Sequence, residues 1–287
     1  MAGVAPPSRA GTVTTVSSRQ NPIVRLYRTL ARERESGDRN PRLLLDGLHL
    51  LSEAHAAGLT IESAAFAHRL LDTADGQSLA GSLAEAGTAV LAVSDIVLAA
   101  MSPVRTPSGV VAVASRPRAS LDSVLERAPQ LVVLAADVQD SGNIGAIVRA
   151  AEAAGGTGLV ACGAGADPFG WKALRGSMGS AFRLPIARGD LNAAIGACRA
   201  AGLQVLAAVP RGGRALFELD LRPPSALVLG GEGHGLSSDA LSQTDARVSI
   251  PMQPPVESLN VAVAAAVFFY EACRQRSARS TTQAPVR

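Results

Sequence analysis

Apolar residues in the first 115 positions alternate between a helical spacing and short buried runs. In residues 23–35, which follow Asn21-Pro22 and precede Gly37, Ile23, Leu26 and Leu30 share one face of a helix. Short strands and helices then follow one another, which predicts a small α/β sandwich domain. Its strands are expected at residues 42–45, 61–66, 89–93 and 109–114, and its helices at 47–57 and 95–101.

The pattern restarts after residue 130 with longer apolar runs. Residues 131–138 (LVVLAADV) are typical of a strand buried on both faces, and a helix is predicted to follow at 142–154. Strands alternating with helices predict a parallel α/β sheet covered on both faces. Its further strands are expected within residues 158–163, 203–209, 225–231 and 246–250.

The flanking segments lack these periodicities. Residues 1–18 are rich in Pro, Ser and Thr and are expected to form a flexible tail, and residues 116–129 are interpreted as a linker or crossover helix. The domains are therefore predicted at 19–115 and 130–276, with a basic tail at 277–287.

Charge is unevenly distributed along the chain. The net charge is +3, but residues 1–42 hold eight arginines against three acids, and residues 271–287 hold four arginines against one acid. Basic ends on an acidic body favour contact with a polyanion, nucleic acid first. Two solvated tails without a partner explain the same pattern equally well.

The cysteines and the hydropathy of the chain indicate the cellular compartment in which the protein is expected. Cys162, Cys198 and Cys273 are far apart and have no metal-type spacing, so they are interpreted as reduced core residues. The four histidines form no metal pattern either. The N-terminus lacks the apolar run of a signal peptide, and the run Val261 to Tyr270 is about half a membrane span. We therefore expect a cytoplasmic protein without metal or membrane contact.

The first chemical motif follows the strand at 131–138. Asn143 stands at the carboxyl end of this strand, where α/β sheets bind their ligands, and Arg149 lies six residues later on the same predicted helix. Arg149 is the only cation in residues 138–171. An ordinary surface or interface arginine is the alternative interpretation.

The second motif is the glycine-rich turn LGGEGHG, residues 229–235. Its glycines allow a close approach of the backbone to a ligand, and Glu232 is its single acid. The spacing differs from the dinucleotide fingerprint GxGxxG, which disfavours a nucleotide-dependent oxidoreductase.

The third motif is IPMQPPVESLN, residues 250–260, at the start of an apolar helix. The prolines predict an irregular loop with exposed backbone groups that could contact a flat heterocycle. Leu259 would form an apolar wall, and Ser258 and Asn260 would supply polar contacts. The simpler expectation is that Ser258 caps the helix.

In this order and spacing, the motifs resemble the SpoU (TrmH) family of RNA ribose 2′-O-methyltransferases, part of the SPOUT superfamily. The resemblance covers residues 130–276 and includes residues 174–185, LRGSMGSAFRLP. Residues 45–54 resemble, more loosely, the L30e-like RNA-binding domain that accompanies the family, with Asp46 where glutamate is usual. The three matches are Asn143, Gly145 and Arg149; residues 229–233; and Ile250-Pro251-Met252 with Ser258-Leu259-Asn260.

The resemblance implies a parallel SPOUT sheet with a C-terminal deep trefoil knot, a rare topology, and a homodimer joined through the knotted domains. It implies S-adenosyl-L-methionine as cofactor. Arg149 would be the catalytic group, Asn143 would position either Arg149 or the ribose, and Glu232, Ser258 and Asn260 would support the site. The implied cofactor-binding residues are Leu229, Gly230, Gly231, Ile250, Met252 and Leu259.

The separate N-terminal RNA-binding domain resembles the large-subunit rRNA enzymes, so 23S rRNA is the expected substrate. An arginine-rich, lysine-poor chain of this organisation is also similar to the methylases by which actinomycetes resist ribosome-targeting antibiotics. A tRNA ribose methyltransferase and a non-catalytic rRNA-binding protein are the open alternatives.

Overall fold

The computed structural model describes residues 13–32, 40–128 and 130–281, with backbone only for 278–281. The chain divides into two compact units, Met1–Pro117 and Arg118–Arg287. Both follow the alternation of strands and helices that the sequence predicts.

The first unit is built on a mixed five-stranded sheet with strand order β1-β4-β3-β5-β2, in which β5 runs antiparallel to its neighbours. Its strands are β1 (Thr14–Val16), β2 (Arg42–Asp46), β3 (Ile61–Ala67), β4 (Ala89–Val93) and β5 (Val110–Ser115). Its helices are α1 (Pro22–Arg32), α2 (Leu48–Ala56), α3 (His68–Leu71), α4 (Ala74–Glu85) and α5 (Asp95–Met101).

Two expectations for this unit need correction. Thr14–Val16 lie inside the predicted flexible tail, yet they form an edge strand that pairs in parallel with β4. On α1, the buried positions are Val24, Tyr27 and Leu30, while the predicted Ile23 and Leu26 are only partly buried against the same core. The buried Tyr27 hydroxyl is satisfied because it donates to the Ser63 carbonyl at 3.0 Å. The predicted helix end at Gly37 lies outside the described residues.

The second unit contains a seven-stranded, all-parallel sheet with strand order β10-β12-β9-β11-β6-β7-β8. Its strands are β6 (Leu131–Ala136), β7 (Gly158–Cys162), β8 (Ile186–Gly189), β9 (Gln204–Ala208), β10 (Arg214–Ala215), β11 (Ser225–Gly230) and β12 (Ala246–Ser249). Its helices are α6 (Leu121–Leu125), α7 (Ser141–Ala153), α8 (Trp171–Ser177), α9 (Leu191–Ala200), α10 (Ser238–Ser242) and α11 (Val261–Thr281).

The predicted parallel sheet is confirmed, although β8 and β10 are additions to it. The predicted linker contains α6, which packs on β7 and β8, and α11 continues past residue 276 to Thr281. Within the described ranges the structure has no helix with the length and hydropathy of a membrane span.

The cysteines are unpaired, and two of the three lie in the core of the second unit. Burial raises the pKa of the Cys162 thiol to about 12 and that of Cys198 to about 11, so both are protonated and unreactive at neutral pH. Cys273 on α11 is only half-buried, and the prediction of a core residue is wrong for it.

The strand order reverses direction between β6 and β11. From β6 the chain moves outwards to β7 and β8, whereas β9, β12 and β10 lie on the other side of β11. In open α/β sheets, ligands bind at such a reversal, outside the carboxyl ends of the strands. The loops after β6 and β11 are therefore where a site is expected.

Candidate active site

Three polar side chains from distant parts of the chain meet at this position. The Asn143 amide nitrogen on α7 donates to Glu232 Oε1 at 2.6 Å, and Asn260 Nδ2 donates to Asn143 Oδ1 at 3.0 Å. The backbone N–H of Gln139 donates to the second Glu232 oxygen at 3.0 Å. Three sequence-predicted site residues are thus brought into one network.

Asn260 has two roles that fix the direction of this network. Its Oδ1 accepts from the backbone N–H groups of Ala262 at 2.9 Å and Val263 at 3.3 Å, so it caps α11. Because that oxygen must face the helix, its Nδ2 faces Asn143. Asn143 must then present its own oxygen to Asn260 and its nitrogen to Glu232. The expectation that Ser258 is the cap is wrong, since the helix begins three residues later, at Val261.

Glu232 is held in its ionised form. Partial burial alone would raise its pKa, but hydrogen bonds from the Asn143 amide and from backbone N–H groups, including that of Gln139, outweigh it. The pKa of Glu232 therefore lies below its ordinary value. A carboxylate is thus present at the site at neutral pH.

The glycine turn after β11 lies against the loop after β6. A Cβ at Gly231 would meet the Asp137 carbonyl oxygen and would lie 2.8 Å from the Asp137 carbonyl carbon. A Cβ at Gly230 would lie 2.5 Å from the carbonyl carbon of Gly235. Both positions need glycine because backbone approaches backbone there, and this contact places Glu232 beside Asn143.

A cavity of about 500 Å³ opens beside this network. That volume suits a nucleoside-sized ligand. All six residues predicted to hold a cofactor line it, together with Glu232, Ser258 and Asn260. The six are Leu229, Gly230, Gly231, Ile250, Met252 and Leu259.

Other lining residues were not predicted. Val209 and Pro210 come from the end of β9, and Ala264 and Phe268 come from α11. The i, i+4 spacing of Ala264 and Phe268 places both on one face of α11, which is the signal that would have identified them. Nothing in the local sequence distinguishes Val209 and Pro210.

Arg149 does not line the cavity. It is exposed on α7, and six helical positions place it about 120° around the helix axis from Asn143. Among the described residues it forms no ion pair, so its guanidinium is available to a ligand outside the cavity.

A parallel sheet with a glycine-lined cavity at its point of reversal defines an α/β domain that binds a nucleoside-sized ligand. Residues 130–270 match the model of the SpoU rRNA Methylase family, and residues 21–112 match an MRM3-like substrate binding domain.

Two curated relatives and one solved structure illustrate the similarity. An uncharacterised tRNA/rRNA methyltransferase of Synechocystis is 36% identical over 94% of this chain and 97% of its own length. The Bacillus subtilis 23S rRNA (guanosine(2553)-2′-O)-methyltransferase RlmP is 31% identical over 89% of this chain and 97% of its own. The SpoU methyltransferase AviRb of Streptomyces viridochromogenes, solved with AdoMet, has a TM-score of 0.80 at 31% identity, over 90% of this chain and 99% of its own.

The chain therefore belongs to the SpoU rRNA methylase family. Its second unit is the methyltransferase domain of an RNA 2′-O-ribose methyltransferase.

Proposed function

We propose that this protein uses S-adenosyl-L-methionine to methylate the 2′-hydroxyl of one ribose in 23S rRNA. The observation that carries the proposal is the Asn143–Glu232–Asn260 network at a cavity of about 500 Å³. RlmP, whose name gives a 23S rRNA 2′-O-methylation, and AviRb, solved with AdoMet, support the substrate and the cofactor. An rRNA substrate assigns the enzyme to the cytoplasm.

The residues of the cavity fit this cofactor. Gly230 and Gly231 expose backbone to the cavity, and Ile250, Met252 and Leu259 supply apolar walls for an adenine ring. The ionised Glu232 complements the positive charge of a sulfonium. When bound, S-adenosylmethionine supplies the methyl group that is transferred.

A ribose hydroxyl is a weak nucleophile, so the protein must stabilise negative charge on its oxygen as the proton leaves. An arginine side chain has no hydrogen-bond acceptor and presents a planar fork of donors, so Arg149 is a poor base but a strong ligand for the ribose-phosphate unit. Because Arg149 lies outside the cavity, it acts on the RNA rather than on the cofactor. Asn143, held by Glu232 and Asn260, orients the ribose, and Ser258 adds a hydroxyl at the cavity wall.

Substitutions at Arg149 test its role. Arg149→Ala should lower kcat about 10²-fold or more if the guanidinium stabilises the developing charge, a typical loss for one such donor. Arg149→Lys keeps the charge but loses the planar pair of donors, so it should recover only a small part of this rate. Near-full activity of the lysine variant would contradict a bidentate contact.

We also propose that the protein is a homodimer joined through its second unit. Val263 and Tyr270 on α11 are large apolar side chains that are 48% and 55% exposed. They lie seven residues apart, hence on one helix face, which a second copy would cover. Light scattering should give a dimer for the wild-type chain and a monomer for Val263→Asp. A dimer of unchanged strength in that variant would exclude this face.

The activity is tested with tritiated S-adenosylmethionine and separated 23S, 16S and tRNA fractions that lack native modification. We expect label in 23S rRNA alone, at one position that resists alkaline cleavage. Label in tRNA would move the substrate to that class. Cofactor that fails to bind in calorimetry would instead favour the non-catalytic RNA-binding alternative.

The resemblance to antibiotic-resistance enzymes is tested by identifying the nucleotide of 23S rRNA that this protein methylates. RlmP, by its name, acts on guanosine 2553 of 23S rRNA. Mapping the alkali-resistant position in the labelled 23S rRNA reports whether this chain modifies the same nucleotide.

A further inference from the structure

The exposed face of helix α8 has no role in the reaction described above. Its buried side chains are Ala173, Leu174 and Ser177, so its exposed face carries Lys172 and Arg175. Trp171, half-buried, begins the helix, and Lys172 Nζ lies 5.6 Å from the centre of its ring. We call Trp171, Lys172 and Arg175 the α8 surface.

The charge of the α8 surface is unbalanced. Residues 168–181 contain no acid, and neither Lys172 nor Arg175 forms an ion pair among the residues that the structure describes. Several other arginines of this unit are paired, such as Arg183 with Glu152 and Arg222 with Asp220. Unpaired cations around an aromatic ring suit a single-stranded nucleic acid, whose phosphates need positive charge and whose bases stack on aromatic rings.

Glycines place this surface next to the reaction site. Gly145 on α7 has no side chain, and a Cβ there would lie 3.1 Å from both the Cα and the carbonyl carbon of Ala173. A Cβ at Gly176 would lie 3.4 Å from the Gly142 carbonyl oxygen, one residue before Asn143. Helix α8 therefore lies directly on the first turns of α7. Arg175 is the chain neighbour of Gly176, which contacts the turn that carries Asn143.

We propose that the α8 surface binds the phosphates and one base of the RNA strand that flanks the target ribose. This inference rests on the proposed function, since it takes the ribose at Asn143 as the point from which the strand extends. Arg149, exposed on the adjoining α7, continues the same basic surface. Lys172 and Arg175 are then positioning residues for the substrate, and they leave cofactor binding unaffected.

The composition of the chain makes this surface easy to observe. Trp171 is the only tryptophan, so intrinsic tryptophan fluorescence reports on the α8 surface alone. Lys172 is the only lysine among the 27 basic residues. Titration of the full-length protein with unmodified 23S rRNA should change the Trp171 emission, and an excess of RNA should protect Lys172 from an amine-reactive reagent.

The quantitative test uses Lys172→Ala, Arg175→Ala and Arg175→Lys, with Arg127→Ala as a matched control. Arg127 is an exposed arginine that precedes β6, and its guanidinium donates to the Arg183 carbonyl oxygen at 3.5 Å. Each phosphate contact adds about 0.7 to 0.9 to the salt slope. With 1 M salt as the reference at which the contact contributes nothing, its removal lowers RNA affinity at 0.15 M salt about four- to sixfold. Each alanine variant should raise the KM for RNA by that factor and reduce the salt slope by about 0.7 to 0.9.

Three controls separate binding from folding. In both alanine variants, the kcat at saturating RNA and the Kd for S-adenosylmethionine should stay at wild-type values. Arg175→Lys should retain the wild-type salt slope. Arg127→Ala should change neither the KM for RNA nor the salt slope. Unchanged KM and slope in both alanine variants would overturn the inference. So would a Trp171 emission that changes on protein dilution without RNA, because a second copy would then cover this face.

Failure of the proposed function has a different signature. If wild-type protein binds 23S rRNA with the Trp171 response but transfers no methyl group to it, the substrate assignment fails and the α8 surface stands. If wild-type protein methylates 23S rRNA while both alanine variants behave like it, the α8 surface fails and the function stands.

Discussion

The contact between α7 and α8 predicts the effect of adding one methyl group at Gly145. Its Cβ would meet the Ala173 carbonyl oxygen and would lie 3.1 Å from two further backbone atoms of Ala173. Ordinary contact between carbon atoms needs about 3.5–4.0 Å, so α8 must move by on the order of 1 Å. Overpacking of this kind costs about 1–3 kcal/mol, offset by about 1 kcal/mol of improved helix propensity in Gly→Ala. Gly145→Ala should therefore lower the unfolding free energy by about 0–2 kcal/mol.

Gly196→Ala is the matched control for Gly145→Ala. Gly196 is exposed in the middle of α9, and a Cβ there meets nothing within 4 Å. It should gain about 0.5–1 kcal/mol from propensity alone. Urea unfolding followed by circular dichroism measures both variants, and their difference isolates the overpacking at about 1–3 kcal/mol. Equal changes in the two variants would refute a close contact between the helices.

Gly145→Ala should also affect the reaction. A displacement of α8 disturbs the Gly176–Gly142 contact and with it the turn that carries Asn143. Misplacement of a catalytic group by about 1 Å costs about 10²-fold in rate, so kcat should fall well beyond the change in stability. A stable Gly145→Ala variant with wild-type kcat would show that α8 does not position Asn143.

Two further predictions concern the network at the cavity. Asn143→Asp replaces the donor to Glu232 by a second carboxylate, so the two carboxylates share a proton and the pKa of Glu232 rises. The kcat of this variant should therefore fall at neutral pH and recover partly as the pH is lowered. The pH–rate profile of Asn143→Ala should show no such recovery. Because the folded-state pKa of Glu232 is depressed, its contribution to stability is complete above the ordinary glutamate pKa of 4.5 and is lost as pH falls through the folded value. The advantage of the wild-type protein over Glu232→Gln in unfolding free energy should therefore shrink on acidification below that range, and a pH-independent difference would contradict an ionised, hydrogen-bonded Glu232.

The buried strands were predictable because continuous apolar runs rich in Val and Leu are typical of a parallel sheet. The edge strand β1 was not, because Thr14–Val16 are three residues in a polar, aperiodic segment. They form a strand only because β4 offers an unpaired edge, a property of the folded sheet. Strand β8 was not predicted either, because its four residues, which include Arg188, form too short an apolar run.

The site residues were predictable from the motifs, but their contacts were not. Asn143 and Glu232 lie 89 residues apart, and no periodicity indicates that their side chains meet. The N-cap of α11 could not be predicted from the sequence either, because Ser258 and Asn260 are both favourable N-cap residues. The structure selects Asn260 because α11 begins at Val261, beyond a loop that contains three prolines.

The hydrogen bond between Asn260 and Asn143 spans 117 residues, and this separation has a consequence for synthesis. At ~5–20 residues per second, Asn260 is added about 6–23 s after Asn143. During that interval the nascent chain has β6 and α7 but lacks the loop and helix that complete the cavity. A chain that terminates before residue 260 therefore carries Asn143 and Arg149 without a complete cofactor site. Only a polypeptide that has been translated past residue 260 can become an active methyltransferase.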